Sequence, residues 1–136
     1  MQASPPSRKP SKADRRSARK DSTEKKSPML TQIDHLVIAT DDLEAAQAQC
    51  VALLGRSPSW NGSHPAFGTR NVIFRLANTC VELRAPGGER QGAEELSAHL
   101  AAEGPGLFAL ALATEDAQAA VTTMRERGLS LSLIHI

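Results

Sequence analysis

The chain has 136 residues, with 16 Lys+Arg against 15 Asp+Glu and a formal net charge of +1. That length allows one ordinary domain and argues against two. Aromatic residues are 3% of the chain, too few for a base-stacking surface. No apolar run approaches the roughly 20 residues of a membrane-spanning helix. Cys50 and Cys80 lie in no CxxC spacing, which excludes a zinc ribbon or a disulfide framework.

The near-zero charge conceals two unlike segments. Residues 1–29 carry nine basic and three acidic groups (+6), while residues 30–136 carry seven basic and twelve acidic (−5). The first segment has four prolines and almost no large apolar side chains, so it is predicted to be a disordered basic tail. It reads as an inert extension, as sequence ahead of a true start at Met29, or as a basic arm for anionic surfaces. It has no apolar stretch of the secretory kind.

Ile33–Ala39 is a short apolar run with β-branched residues and predicts a strand. Thr40-Asp41-Asp42 then cap a helix over 41–54, whose Leu43, Ala46, Cys50, Leu53 and Leu54 share one face, and Gly55 stops it. Residues 56–68 are turn-rich, with room for a short strand near Ser59-Trp60. Asn71–Leu76 and Thr79–Arg84 predict two strands joined by a tight turn at Ala77-Asn78. A helix is expected over 91–103, stopped by Gly104-Pro105, followed by a strand over 107–113 and a helix from Ala117 to Gly128.

The last two elements repeat the first two. A shift of 74 residues lays Leu36–Ala46 on Leu110–Ala120. Leu36/Leu110, Ala39/Ala113, Thr40/Thr114, Asp42/Asp116, Ala45/Ala119 and Ala46/Ala120 are then identical. Strand-to-helix capping alone can converge on such a pattern, but the agreement in element order and spacing favours an internal duplication. The expected fold is therefore α+β, built of paired βαβββ modules that curve into an open sheet around a cavity.

The period of two along each strand sorts the side chains. Apolar faces are covered by helices, which leaves His35, Asn71, Arg75, Cys80, Glu82 and Arg84 to line the cavity. His35 and Glu82 offer ligand atoms suited to Zn, Ni, Fe, Mn or Co. Equally, Glu82 pairs with Arg84 or Arg75, and His35 is a satisfied core histidine. His64 reads as an exposed loop histidine, or as a gate or substrate contact. Cys50 reads as core, and Cys80 as core in preference to an exposed thiol on the Glu82 face, and buried thiols fit a reducing, cytoplasmic compartment.

Ile33-Asp34-His35-Leu36-Val37-Ile38-Ala39-Thr40-Asp41-Asp42-Leu43-Glu44-Ala45-Ala46 resembles the opening of the vicinal oxygen chelate superfamily, which spans glyoxalases, bleomycin-resistance proteins and extradiol dioxygenases. Cys80-Val81-Glu82-Leu83 resembles its fourth strand. Gly68-Thr69-Arg70-Asn71 is similar to its glyoxalase-like branch. The resemblance covers about residues 31–130 and divides the chain into a first module at 31–86, a linker helix at 91–103 and a partial second module at 106–136. It implies a divalent metal held from the first and fourth strands of each module, with His35 and Glu82 as the first two ligands. The third position falls on Ala109, which cannot ligate, so the metal requirement is itself in question. The fourth lies beyond residue 136. Only eight residues follow Gly128, room for one strand and not three, so the chain is expected to be truncated. Its ending resembles a translated sequencing adapter, and His135 is therefore not counted as a ligand.

Two functions follow. One is a metal-dependent isomerase, lyase or dioxygenase, with Asn71, Arg75 and Arg84 binding the substrate and its catalytic residues unassigned. The other is a metal-free protein that sequesters a small molecule in the same cavity. The expected partners are a small-molecule ligand and a second copy in a homodimer, with an unpaired sheet edge expected to drive either aggregation or that dimer. The acidic ordered segment argues against nucleic acid.

Overall fold

A computed structural model describes residues 29–131. The expected basic tail, apart from Met29, and residues 132–136 lie outside the described residues. In chain order the elements are β1 (Gln32–Ala39), α1 (Leu43–Leu54), β2 (Trp60–His64), β3 (Thr69–Arg75) and β4 (Cys80–Pro86). They continue with α2 (Gln91–Glu103), β5 (Gly106–Ala113) and α3 (Ala117–Glu126). The strands form one mixed sheet in the order β2-β3-β4-β1-β5, an α+β arrangement. β1 runs parallel to β4, and every other pairing is antiparallel.

The first five elements are one βαβββ module. Of a second, the described residues contain β5 and α3. β1 and β5, which the sequence repeat makes equivalent, pair antiparallel, as a two-fold relation between repeats requires. The repeat extends to hydrogen bonds. Asp42 accepts from the Ala45 N–H, and Asp116 accepts from the Ala119 N–H, both at 2.9 Å. Thr40 Oγ1 accepts from Asp42 N–H, and Thr114 Oγ1 accepts from Asp116 N–H. Each helix thus begins one residue after an aspartate cap that satisfies an otherwise orphaned donor.

The core lies between α1 and one sheet face. Leu43, Val72, Phe74, Leu83 and Ala85 are buried there, with Ile38, Ala46, Cys50, Leu54 and Val81 packed against them. Cys50 was expected to be core and Cys80 a buried thiol. Both are half-buried, because Cys50 stands at the margin of the α1 contact and Cys80 at a strand end.

Two elements differ from expectation for identifiable reasons. β2 occupies Trp60–His64, longer than the short strand expected near Ser59-Trp60, because an edge strand with exposed residues carries no apolar alternation. Arg90, which precedes α2, makes no side-chain cap. The Phe67 carbonyl accepts from Ala93 N–H at 3.1 Å in its place, a long-range cap invisible to local pattern. None of the described helices is long and apolar enough to cross a membrane.

Candidate functional site

The face opposite α1 carries a row of polar side chains, one from each of four adjacent strands. The register sets them in order: His64 on β2, Asn71 on β3, Glu82 on β4 and His35 on β1. Three are almost fully enclosed, with His35 and Glu82 5% exposed and Asn71 1%, while His64 at the end of the row is exposed.

Glu82 is the centre of the row. Its Oε1 accepts from Arg84 Nε at 3.0 Å, from Arg84 Nη2 at 2.8 Å and from Asn71 Nδ2 at 3.3 Å. The guanidinium sets a positive charge and two donors against the buried carboxylate. Its Oε2 faces His35 Nε2 at 3.4 Å, beyond ordinary hydrogen-bond length. His35 Nδ1 meets Asp34 Oδ2 at 2.7 Å, so one imidazole sits between two carboxylates. Asn71 Nδ2 also reaches His64 Nε2 at 3.1 Å. Asn71 Oδ1 has no hydrogen-bond partner.

Of the residues that the sequence places on this face, His35, Asn71, Glu82 and Arg84 come together. Arg75 does not: it is exposed, and its backbone carbonyl accepts from Arg56 Nη1 at 2.7 Å. The Arg84 and Asn71 side chains turn onto the Glu82 carboxylate. A cleft of about 390 Å³ lies elsewhere, between Ile38–Asp42, the start of α1 and Pro105-Gly106, and it includes none of these residues. Its lining includes exposed Asp41 and Asp42 and no histidine or basic group, so the polar row is the stronger candidate. His64, read from sequence as a loop residue, is a β2 residue within the row. Only the register of β2 on β3 brings it there.

The donor set bears on a metal. Two atoms each about 2.0–2.2 Å from a shared tetrahedral ion stand roughly 3.3–3.6 Å apart, and His35 Nε2 and Glu82 Oε2 meet that spacing. They fit two positions of a coordination shell. Among the described residues no group of three or more His, Cys, Asp or Glu side chains could hold an ion. The register puts Ala109 opposite Val37 and Ala111 opposite His35, so β5 supplies no ligand at either position.

The family model of the glyoxalase-like domain matches residues 33–135. The chain belongs to the glyoxalase-like domain family. This places it in the vicinal oxygen chelate superfamily, and solved structures share the fold. A Streptomyces coelicolor methylmalonyl-CoA epimerase variant in complex with 2-nitronate-propionyl-CoA is 24% identical, with a TM-score of 0.62 over 74% of this chain and 72% of that one. The Mycobacterium tuberculosis methylmalonyl-CoA epimerase is 26% identical, with a TM-score of 0.62 over 77% and 69%. A hypothetical protein from Bacillus halodurans C-125 is 17% identical, with the same TM-score over 71% and 68%. No curated protein matches this glyoxalase-like domain.

Proposed function

We propose that this glyoxalase-like domain binds a small carbonyl or carboxyl compound beside the His35–Glu82 pair and catalyses an isomerase-type reaction with a divalent metal. The observation that carries the reading is the 3.4 Å approach of His35 Nε2 to Glu82 Oε2 inside a buried row. With Asp34 against Nδ1, His35 presents Nε2 to a carboxylate oxygen, two ligand atoms at the spacing that a shared cation would bridge. His35 and Glu82 would hold the ion, whose chemistry when bound is to polarise a substrate oxygen and stabilise an enediolate. The chain's own groups do the rest. Asp34 orients His35 as a ligand, Arg84 holds Glu82 through one carboxylate oxygen, and Asn71 fixes the carboxylate's rotation. The epimerase structures with methylmalonyl-CoA and 2-nitronate-propionyl-CoA make a small acyl thioester a sensible first substrate class. We place the protein in the cytoplasm as a homodimer, with no nucleic-acid partner.

Ala109 favours a second reading, a metal-free binding protein in which His35 and Arg84 hold the ligand directly. Calorimetric titration of the full chain with Co²⁺ and Ni²⁺ separates the two. The metal reading expects saturable binding that His35→Ala and Glu82→Gln each weaken at least tenfold. A folded wild-type chain that binds neither ion sinks it, and thermal-shift screening with methylmalonyl-CoA and free methylmalonate then tests the metal-free reading.

A further inference from the structure

The polar row contains one relation that the proposed chemistry does not use. Glu82 Oε1 is an oxygen of a carboxylate paired with Arg84, and such an oxygen only accepts hydrogen bonds. The Asn71 atom 3.3 Å from it is therefore the amide nitrogen. Rotating the amide by half a turn would set its oxygen against the carboxylate, acceptor against acceptor. The same nitrogen stands 3.1 Å from His64 Nε2. An NH2 group has two hydrogens, one for each neighbour, so His64 Nε2 must offer its lone pair. A neutral His64 then carries its proton on Nδ1. The unpartnered, 1% exposed Asn71 Oδ1 is what this orientation leaves behind. An amide free to choose would turn that oxygen to a donor, and the carboxylate prevents it.

We propose that Glu82, acting through Asn71 as a positioning residue, fixes His64 in the Nδ1–H tautomer, making His64 a specificity residue that donates to an acceptor oxygen of the ligand. His64 is exposed at the outer end of the row. The Phe67 ring meets it edge-on, with centroids 6.5 Å apart, and is 64% exposed. A donor beside an uncovered phenyl ring suits a carboxylate or carbonyl oxygen attached to a short apolar group. This ligand-binding half rests on the proposed small-molecule function; the tautomer does not.

Imidazole ¹⁵N spectra of the metal-free full chain at about pH 8.5, where a histidine of ordinary pKa is neutral, test it directly. The expected result is His64 protonated on Nδ1, with Nε2 free. Asn71→Ala should return the ring to the Nε2–H form that neutral histidine prefers in water. Glu82→Gln, which can face Asn71 with either oxygen or nitrogen, should give a mixture. A wild-type His64 protonated on Nε2 overturns the proposal whether or not the variants fold. Sodium acetate is the carboxylate probe. Titration should shift His64 Nδ1 saturably, whereas a shift no larger than at His99 overturns the ligand-binding half. Failure of the Co²⁺ and Ni²⁺ titration would remove the metal reading and leave the tautomer result standing.

Discussion

Arg84 supplies the positive charge paired with the buried Glu82 carboxylate. Its two nitrogens take one carboxylate oxygen at 3.0 and 2.8 Å, and its side chain is 23% exposed against 6% for Glu82. Removing one partner of a fully buried pair costs about 3–5 kcal/mol, because an uncompensated charge remains. With Arg84 partly in water, Arg84→Met should cost about 2–4 kcal/mol in urea unfolding. Adding Glu82→Gln to it should recover more than half of that loss. Equal losses in the single and double variants would show that Arg84 acts by packing alone. Cys50 gives a second prediction at this scale. Burial raises its thiol pKa above the ordinary cysteine value, so the thiolate is scarcer at any given pH. In Cys80→Ser, alkylation by iodoacetamide should follow a pH profile displaced upward from that of free cysteine. At this scale the sequence identified His35, Asn71, Glu82 and Arg84 as neighbours, because the strand period sorts side chains by face. It could not identify His64, whose place depends on pairing between strands, nor exclude Arg75, which stands exposed at the end of β3.

Elements were legible where a local signal fixed them. The aspartate caps, Gly55 with φ of 62° and the alternation in β3 and β4 all lie within a few residues of what they determine. The cap of α2 does not. Its Ala93 N–H is satisfied from Phe67, across the sheet's loops, and that contact reverses an ordinary expectation about Gly92. Inside a helix, Gly→Ala normally gains up to about 1 kcal/mol. At Gly92 an added Cβ would stand 2.7 Å from the Phe67 carbonyl oxygen, closer than real contacts allow. Gly92→Ala should therefore lower stability, with thermal unfolding as the readout. A raised melting temperature would mean that the α2 cap yields freely. Phe74 tests the opposite face. It is 0% exposed in the α1 core, so Phe74→Ala should cost about 3–5 kcal/mol through lost burial and the cavity left behind. That loss falls on β3, the strand that carries Asn71, so the row should loosen with the core.

The whole sheet has two edges of opposite character. β2, at one end, is five mostly exposed residues with three polar side chains, Asn61, Ser63 and His64. β5, at the other, is eight residues long and holds no charge and no proline. One of its edges bonds β1, and among the described residues no strand pairs with the other. The strand is also apolar on its outer surface. Leu107, Leu110 and Leu112 are 60%, 50% and 46% exposed, and Ile33, paired with Leu112, is 45% exposed. Unpaired backbone donors and acceptors beside exposed leucines are a template for another strand. Self-association of the full chain through β5 is the expected consequence. Sedimentation velocity should show a dimer that dissociates on dilution, or larger species at high concentration. Leu110→Lys places a charge in the middle of the exposed stripe without touching the His35–Glu82 row, and should shift the population toward monomer. Far-ultraviolet circular dichroism should be unchanged in that variant, because Leu110 is half in water before any association. A wild-type chain that sediments as a monomer at about 100 μM would contradict the proposed homodimer and would require that β5 be covered from within the chain itself.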